Sequence, residues 1–407
     1  MTHIEQMIQD MCPNGVEWKT FDELGAFYGG LSGKTKDDFK EGNEKFITYL
    51  NIANNPALRL DIDETVKIGP NEKQNIVQYG DALFTGSSET PDECAMSSVV
   101  TDYPQEKLYL NSFCFGFRFN SLEGICPAFY KHYFRSDHFR KAVRRTANGT
   151  TRFNVSKKEF GKLAIPLPPL EIQKKIVECL DKFSALAAEL QAELQAELQL
   201  RRKQYEYYRT QLLTPHSDCN SADNTDDRNW KWKTLGEICE INRGVRVVRS
   251  ELEQEGKYPV YQNSLTPLGY YDKCNYPANT TFIISAGAAG KVGYSDVDFW
   301  AADDCLCIKC PEALNAKFLF YYMLDKQDFF LSQVRHASVP RMSRTIVENF
   351  KLPIPSLAEQ ARIVAILDKF EKLITSMEEG IPAEQIRQQK RYEYYRDLLL
   401  TFDRKAV

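Results

Sequence analysis

The side chains in this sequence that are most suited to bind a ligand are cations, which attract anionic groups, and they are concentrated in one stretch. Residues 131 to 162 carry 10 basic and 2 acidic side chains, whereas residues 1 to 130 carry 10 basic and 20 acidic ones. The candidates are Arg144, Arg145, Arg152, Lys157 and Lys158. Cations at the end of a helix complement its dipole, which explains Arg144 and Arg145 but not the three residues that follow the helix. Although the net charge of the chain is -4, the cluster predicts contact with phosphate groups.

Smaller groups of cations predict further phosphate contacts in both halves of the chain. They are Lys34 and Lys36 in a loop of the first half, and Arg246, Arg249, Arg335, Arg341 and Arg344 in the second half. Gly33, Lys34 and Thr35 resemble the end of a nucleotide-binding loop, but Tyr28 stands where that motif requires glycine. We therefore expect a basic surface loop at this position and not a nucleotide site.

Amide side chains in loops are candidates for contact with bases. Asn51, Gln262 and Asn263 follow strand-like runs, and an amide can bond the edge of adenine through two hydrogen bonds. The same residue types are common in turns for structural reasons alone. Each of the three residues therefore has both interpretations.

Patterns for catalysis or metal binding are missing from the sequence. It contains no [DN]PP[YF] motif of amino-methyltransferases, no Walker loop and no G-x-S-x-G motif. Among the 11 cysteines, Cys305, Cys307 and Cys310 form one cluster, but no neighbouring pair supplies the further ligand of a structural zinc site. Alternation along a strand places Cys305 and Cys307 on one face, which favours buried core thiols. We expect no catalytic site, metal or cofactor in this chain.

The elements that position these residues occur twice. PLPPLEIQKKIVECLDKF at 166 to 183 returns as PIPSLAEQARIVAILDKF at 353 to 370, and KQYEYYR at 203 to 209 returns as KRYEYYR at 390 to 396. Both pairs are 187 residues apart, so the segment between them has the same length in each copy. In the preceding blocks an offset of 189 pairs Phe129 with Phe318, Tyr133 with Tyr322 and Arg152 with Arg341. The repeat predicts two similar domains that alternate with two matched helices.

Apolar residues at spacings of three and four predict that each repeated segment is an amphipathic helix. Residues 188 to 199 are three AELQ tetrads, in which the leucines drift around the helix by about 40° per tetrad. In the second copy, Gly380, Ile381 and Pro382 predict a kink or a restart of the helix. The side chains expected to pair the helices or to dock partners are Ile176, Leu180, Phe183, Tyr205, Tyr208, Ile363, Leu367, Phe370, Tyr392 and Tyr395.

These patterns predict an α+β protein of five segments. They are a mixed α/β domain at 1–165, a helical region at 166–214, a polar linker at 215–229, a second mixed α/β domain at 230–352 and a second helical region at 353–407. No run of about 18 apolar residues occurs, and the N-terminus is too polar for a signal peptide. We expect a cytoplasmic protein without membrane partners.

This layout resembles the specificity subunits of type I restriction-modification systems. The resemblance covers essentially the whole chain and rests on the two proline-led helix starts, the paired YEYYR ends and the AELQ tetrads. It implies two target recognition domains, each of which binds one half of a split double-stranded DNA sequence. The two conserved helices would pair as an antiparallel coiled coil. It also implies two methyltransferase subunits and restriction or translocase subunits as partners, with S-adenosylmethionine, ATP and Mg²⁺ bound only by those partners.

Two other functions fit parts of the sequence. A stand-alone DNA-binding regulator would carry the same basic loops, but it would not need a second helix matched in length to the first. A coiled-coil scaffold would explain the repeat, but not two diverged domains with basic ends. Co-purification with a methyltransferase subunit would distinguish the specificity subunit from both.

Overall fold

The protein is described by a computed structural model that covers residues 3–215, 230–336 and 338–405. The chain divides into two compact units. Unit 1 consists of Met1–Ala192 and Ala383–Val407, and unit 2 consists of Glu193–Pro382. Each unit therefore contains one globular domain and a part of each repeated helical segment. The linker expected at 215–229 lies outside the described residues except for Pro215. None of the helices in the described part of the chain is long and apolar enough to span a membrane.

The globular domain of unit 1 is built from short strands and helices. Its elements in chain order are α1 (His3–Met11), β1 (Glu17–Thr20), α2 (Phe21–Leu24), β2 (Gly25–Gly29), β3 (Glu44–Ile47), α3 (Tyr49–Asn54), β4 (Thr65–Val66), β5 (Ala82–Thr85), β6 (Ser87–Ser88), β7 (Ser97–Val99), β8 (Leu108–Leu110), β9 (Cys114–Phe119), α4 (Pro127–Tyr133), α5 (Asp137–Arg144), β10 (Ala147–Asn148), β11 (Phe153–Val155), α6 (Lys157–Gly161) and β12 (Ala164–Leu167). Single 3-10 turns lie at Lys36–Phe39 and Pro91–Glu93.

The sheets of unit 1 surround an aromatic core. The main sheet has the order β2-β9-β5-β7, a second sheet has the order β4-β3-β8, and a third has the order β10-β11-β6. Phe21, Phe84 and Phe117 are fully buried between the main sheet and the helices, and Phe21 lies edge-on to Phe117 at 4.8 Å. Strand β1 pairs with β12 and so brings the start of the domain to the residues that lead into the first long helix.

Unit 2 repeats this construction. Its elements are β13 (Lys231–Thr234), α8 (Leu235–Ile238), β14 (Glu240–Arg243), β15 (Tyr258–Tyr261), β16 (Gly269–Tyr271), β17 (Thr280–Ile284), β18 (Val292–Ser295), β19 (Trp300–Ala301), β20 (Cys305–Lys309), α9 (Ala316–Asp325), α10 (Gln327–Ser332), α11 (Arg344–Glu348) and β21 (Lys351–Ile354), with a 3-10 turn at Arg249–Glu251. We number the two long helices α7 (Leu170–Leu213), which follows β12, and α12 (Leu357–Leu399), which follows β21.

The two domains share one sheet topology. The order β14-β20-β17-β18 in unit 2 matches β2-β9-β5-β7, and β16-β15-β19 matches β4-β3-β8. In both three-stranded sheets one pair is parallel, β15 with β19 and β3 with β8. The expectation that both blocks have one fold is confirmed.

Segments of the two long helices contact each other within each unit through the same three aromatic positions. In unit 1 the Phe183 ring lies 6.0 Å from Tyr392 and 6.1 Å from Tyr395. In unit 2 the corresponding Phe370 ring lies 6.3 Å from Tyr205 and 5.6 Å from Tyr208.

The direction of the helices follows from unit 2. Arg202 of α7 binds Glu378 of α12 at 3.0 Å. Tyr205 and Tyr208 lie farther along α7 and contact Phe370, which is nearer the start of α12. The two segments therefore run antiparallel, and the predicted fold class is confirmed.

The restart of the helix expected at Gly380 to Pro382 is wrong. Helix α12 is a single element from Leu357 to Leu399 with Pro382 inside it. Proline lacks the N–H that would bond the carbonyl of Glu378, so the helix loses one hydrogen bond at this point. Ile381 is only 5% exposed, and its burial helps to offset that loss.

The cysteine cluster lies in the core of unit 2. Cys305 and Cys307 are fully buried on the same side of β20, and Cys310 is half-buried. Burial raises the pKa of Cys305 to about 12, so this thiol is neutral at pH 7. The expectation of buried core thiols is confirmed for Cys305 and Cys307.

Candidate nucleic-acid interface

In unit 1 the cations at the end of the domain surround a β-hairpin. Strands β10 and β11 pair so that Asn148 lies directly opposite Asn154. Both asparagines are exposed, and so is Arg152 in the connecting loop. The loop starts at Gly149 with φ 142°, where a Cβ would lie 2.0 Å from the carbonyl oxygen of Arg152. Only glycine fits this turn, and the turn holds the backbone of the hairpin in one conformation.

Unit 2 has the same hairpin with different side chains. The N–H of Arg335 donates to the carbonyl of Arg341 at 2.9 Å, and the reverse bond is 3.1 Å. Arg335 and Arg341 therefore form a directly opposed pair, as Asn148 and Asn154 do in unit 1. Both arginines are exposed. Arg341 also pairs with Ala286 on its other side, as Asn154 pairs with Ser87.

The hairpins correct one correspondence expected from the sequence. The offset of 189 holds for the buried helices α4 and α9, whose Phe129 and Phe318 are both fully buried. At the hairpins the offset is 187, so Arg341 corresponds to Asn154 and not to Arg152. The loss of two residues between helix and hairpin in unit 2 causes the change.

A tight turn lies beside each hairpin on equivalent backbone. In unit 1 the N–H of Gly86 donates to the carbonyl of Phe113 at 2.8 Å, and in unit 2 the N–H of Ser285 donates to that of Asp304 at 2.7 Å. The N–H of the following residue also donates to the carbonyl at the start of the turn at 3.0 Å in both units, from Cys114 to Asn111 in unit 1 and from Cys305 to Ala302 in unit 2. Phe113 is 65% exposed, whereas Asp304 is half-buried. Burial, followed by the neighbouring Asp303, raises the pKa of Asp304.

These positions form what we call the recognition edge of each unit. The edge of unit 1 consists of Ser87, Phe113, Asn148 and Asn154, and the edge of unit 2 consists of Ala286, Asp304, Arg335 and Arg341. In unit 1, Ser87, Phe113, Asn154 and Lys157 line a shallow cavity of about 280 Å³. Sequence reasoning missed Phe113 and Asp304 because nothing in the local sequence shows that these turns meet the hairpins.

Two of the three predicted base-contacting amides lie at the recognition edge of unit 2. The N–H of Ala288 donates to the carbonyl of Asn263 at 2.9 Å, and the carbonyl of Gln262 accepts from the thiol of Cys305, the residue after Asp304, at 3.3 Å. Asn263 is exposed. The structure therefore brings Gln262 and Asn263 together with Arg341, although about 80 residues separate them in the sequence.

Asn51 has a structural role instead. Its side-chain amide donates to the carbonyl of Arg59 at 2.9 Å, and its side-chain oxygen accepts from the N–H of Arg59 at 3.2 Å. These bonds hold the loop that follows α3. Because the amide is engaged inside the domain, we do not carry Asn51 into the proposed interface.

The predicted cations of unit 1 differ in their exposure and in whether they form an ion pair. The Lys34 side chain is 7% exposed, and its ammonium binds Glu72 and the carbonyl of Lys67, both at 2.6 Å. Arg144 pairs with Asp92 at 2.9 Å on the surface, and Lys157 lies over the Phe115 ring at 5.5 Å. Among the predicted cations of unit 1, those that are exposed and form no ion pair with the residues that the structure describes are Lys36, Arg145, Arg152, Lys157 and Lys158. Lys34 therefore serves its own loop, and the proposed phosphate contacts rest on the others.

In unit 2 the predicted cations are all exposed. Arg344 pairs with Glu348 one helical turn away at 2.8 Å. Arg246, Arg249, Arg335 and Arg341 have no ion pair among the residues that the structure describes. These four side chains are available to an anionic partner.

The apolar residues predicted for helix pairing or partner docking have two separate roles. Ile176 and Leu180 are buried in the core of unit 1, and Ile363 and Leu367 are buried in that of unit 2. They attach each helix start to its own globular domain. The six aromatic residues, Phe183, Tyr205, Tyr208, Phe370, Tyr392 and Tyr395, make the contacts between helices described above.

Two buried glutamines, which we call the joint glutamines, complete the attachment. In unit 1 the Gln173 side chain accepts from the N–H of Cys126 at 2.8 Å and donates to the carbonyls of Gly124 and Pro168 at 2.8 and 2.7 Å. In unit 2 the Gln360 side chain accepts from the N–H of Asn315 at 2.7 Å and donates to the carbonyls of Ala313 and Pro355 at 3.1 and 2.9 Å.

Both joint glutamines are fully buried. With one side chain, each glutamine forms hydrogen bonds with backbone groups before the domain's helix and with a backbone carbonyl just before the long helix. Sequence reasoning missed their role, although the aligned Gln in LEIQ and LAEQ was a visible signal.

A second polar contact joins each domain to its helix. In unit 1, His132 bonds Asp181 at 2.7 Å and Tyr392 at 2.9 Å, and burial lowers the pKa of His132. In unit 2, the Tyr321 hydroxyl donates to Asp368 at 2.6 Å, and it also lies 2.7 Å from Glu371. Only the contact in unit 1 contains a histidine, a side chain that titrates near neutral pH.

Comparison with known proteins identifies the family. A family model described as the type I restriction modification DNA specificity domain matches residues 13–200 and 227–385. A Haemophilus influenzae protein named as a type I restriction enzyme specificity subunit is 33% identical over 303 residues, covering 70% of this chain and 74% of that protein. The Escherichia coli EcoR124I/EcoR124II specificity subunit is 33% identical over 272 residues, covering 59% of this chain and 63% of that protein.

Solved structures show the same fold. An HsdS subunit from Thermoanaerobacter tengcongensis matches with a TM-score of 0.61 at 18% identity, covering 96% of this chain and 97% of that one. A chain from a study of assembly and conformational transition of the type I R-M system matches with a TM-score of 0.70 at 18% identity, covering 95% and 98%. Since the family model matches both halves of the sequence, the chain belongs to the type I restriction-modification specificity family, as the non-catalytic subunit that recognises the DNA target.

Proposed function

We propose that the two units each bind one half of a split double-stranded DNA target, and that the long helices fix the distance between the half-sites. The observation that carries this proposal is the repetition of one recognition edge, on the same backbone framework, with different side chains in each unit. Two domains that share one fold but expose different side chains suit a target with two different halves. The matched lengths of α7 and α12, at 44 and 43 residues, suit a spacer between them.

Phosphate contacts position the duplex and base contacts select the sequence. In unit 1 the exposed cations Lys36, Arg145, Arg152 and Lys158, with Lys157 and Arg144 beside them, would contact phosphates. In unit 2 the same role falls to Arg246, Arg249 and Arg344. Base reading belongs to the recognition edges, with Gln262 and Asn263 beside the edge of unit 2.

The chemistry of the complete system would lie in partner subunits. We propose that the chain docks two methyltransferase subunits, together with restriction or translocase subunits, and that those subunits bind S-adenosylmethionine, ATP and Mg²⁺. The exposed rings of Tyr207 and Tyr394, 61% and 65% exposed at equivalent places of α7 and α12, offer two similar apolar contacts for two copies of one partner.

Base-resolution mapping of adenine methylation, in cells with and without this chain, tests the proposal. Methylation at a split motif should appear only when the chain is present. The same methylation in cells that lack the chain would exclude it as the specificity subunit.

The modest charge of the chain adds a second test. With a net charge of -4, the isolated chain should bind its target weakly and with a shallow dependence on salt, whereas the complex with methyltransferase subunits should bind far more tightly. Equal affinity of the isolated chain and the complex would contradict this division of roles.

A further inference from the structure

We propose that the two recognition edges read different base pairs, with the edge of unit 2 reading a G·C pair and the edge of unit 1 reading an A·T pair. This inference rests on the proposed function and deepens it by naming the bases that each edge selects. It follows from the side chains that differ on equivalent backbone.

The shared backbone makes the comparison direct. Each edge combines a hairpin with one opposed pair, a strand that bonds the hairpin, and a turn held by one bond of 2.7 or 2.8 Å. The fold is the same with asparagine or arginine in the hairpin and with phenylalanine or aspartate in the turn. These side chains are therefore free of a structural requirement and can follow the sequence of the ligand.

In unit 2 the edge is suited to guanine and cytosine. Like charges directly opposite each other on a sheet are destabilising, and Arg335 and Arg341 form such a pair, in which neither side chain makes an ion pair within the described part of the unit. A ligand with hydrogen-bond acceptors relieves this repulsion, and guanine presents its O6 and N7 atoms to arginine in the major groove.

Asp304 distinguishes a base pair from a phosphate as the ligand. Its backbone carbonyl accepts from the N–H of Ser285 at 2.7 Å, and the carbonyl of Ser285 accepts from the N–H of Met342 at 2.9 Å, so Asp304 and Arg341 lie on neighbouring backbone. A carboxylate repels phosphate, but it accepts a hydrogen bond from the N4 amine of cytosine. Arginine and aspartate side by side therefore match the two bases of one G·C pair.

In unit 1 the edge is suited to adenine and thymine. Asn148 and Asn154 are neutral, exposed and directly opposed, and asparagine bonds the N6 and N7 atoms of adenine. Phe113 is 65% exposed although its backbone is fixed on both sides, by Asn111 at 2.9 Å and by Gly86 at 2.8 Å. A rigidly held apolar ring of this kind is suited to contact the methyl group of thymine.

The experiment uses the assembled complex with its methyltransferase subunits and the target found by methylation mapping. Competition binding compares the target duplex with duplexes in which one base pair is replaced. The variants are Arg341→Lys in unit 2 and Asn154→Ala in unit 1. Lysine keeps the charge that a phosphate needs but lacks the planar, rigid fork with which arginine matches the O6 and N7 atoms of guanine. Arg362→Lys, at an exposed residue of the same unit outside the edge and outside the proposed phosphate contacts, is the matched control.

The wild-type complex should prefer its target by on the order of 10- to 100-fold at the pairs that are read. Arg341→Lys should reduce this preference to below about 3-fold at one G·C pair and keep it at all others. Asn154→Ala should do the same at one A·T pair of the other half, and Arg362→Lys should change no preference.

Two results would overturn the proposal. One is Arg341→Lys weakening the binding of all duplexes equally, which would make Arg341 a phosphate contact. The other is the loss of preference at a pair of the opposite type in either variant. A wild-type complex that shows no preference among duplexes would instead refute the specificity function itself.

Discussion

The joint between domain and helix is nearly identical in the two units, whereas the recognition edges share only their backbone. Gln173 and Gln360 each make three hydrogen bonds to equivalent partners. At the edges, asparagines and phenylalanine in unit 1 are replaced by arginines and aspartate in unit 2. The difference teaches that the joint is a structural requirement of the fold, whereas the exposed side chains of the edge can change while the backbone stays the same.

The largest effect is expected from the joint glutamines. Gln173→Ala or Gln360→Ala removes the partners of three buried backbone groups, and each unsatisfied group costs about 1–3 kcal/mol. Each variant should therefore lose more than about 3 kcal/mol of stability in its own unit. Hydrogen-exchange mass spectrometry of the full chain locates the loss, near residues 124–133 for Gln173→Ala and near 313–325 for Gln360→Ala.

The exposed Gln199 of α7 provides the control for this prediction. Gln199→Ala should leave exchange unchanged in both units. A small effect of one joint glutamine together with a large effect of the other would break the equivalence of the joints.

The aromatic contacts between the helices should show a smaller, equal effect. Phe183→Ala and Phe370→Ala each remove a half-buried ring that contacts two tyrosines. A loss of about 1–2 kcal/mol is expected from each, less than for a fully buried phenylalanine. Denaturant unfolding of the full chain measures both variants under one condition. Unequal losses would show that the paired segments differ in strength between the units.

Acidification should affect the two units differently. The folded-state pKa of His132 is lowered by burial, so the unfolded chain binds a proton at higher pH than the folded chain does. The stability from neutral His132 is complete above the unfolded value of about 6.5 and is lost as the pH falls through the folded pKa. Protection from exchange near His132, relative to the intrinsic exchange rate at each pH, should therefore decrease between pH 7 and pH 5, whereas protection near Tyr321 should not.

His132→Tyr, which introduces the residue that unit 2 carries, should remove this difference between the units. NMR titration of the wild-type ring should give a midpoint below 6.5. A midpoint above that value would contradict the assignment.

The smallest effect on stability is expected from the tetrads, which only α7 contains. Deletion of residues 192 to 195 shortens the helix by about 6 Å, close to two base-pair steps. The spacing between methylated half-sites should change by about two base pairs, with both half-sites unchanged. Methylation mapping of the deletion variant measures both, and an altered half-site sequence would count against the helices as a spacer.

The sequence allowed the fold to be predicted because its strongest signals are local. Apolar periodicity predicted the helices that became α7 and α12, and the repeat predicted two domains of one fold. The expected restart at Pro382 was wrong because packing of the flanking helix outweighs one lost hydrogen bond. Local preference does not contain that packing energy.

The site was predictable only in part, since side-chain partners come from distant parts of the chain. Composition indicated the cations that flank the hairpin of unit 1. It could not show that Lys34 pairs with Glu72 or that the Asn51 side chain bonds the backbone of Arg59. The apparent match of Arg152 with Arg341 arose from chemical similarity, whereas strand register makes Asn154 the true equivalent. Register is a property of paired strands, and one strand alone does not reveal it.

The composition of unit 1 from both ends of the chain sets an order of folding during synthesis. Val16 bonds Asp403 and Lys405 at 2.9 Å, so the earlier of the two domains to leave the ribosome lacks these contacts until residues 403 to 405 are made. Unit 2 is one continuous stretch and can close first. At 5–20 residues per second the earlier domain waits on the order of 10 to 40 s for its final segment. During that interval the nascent chain exposes apolar surface that chaperones can bind.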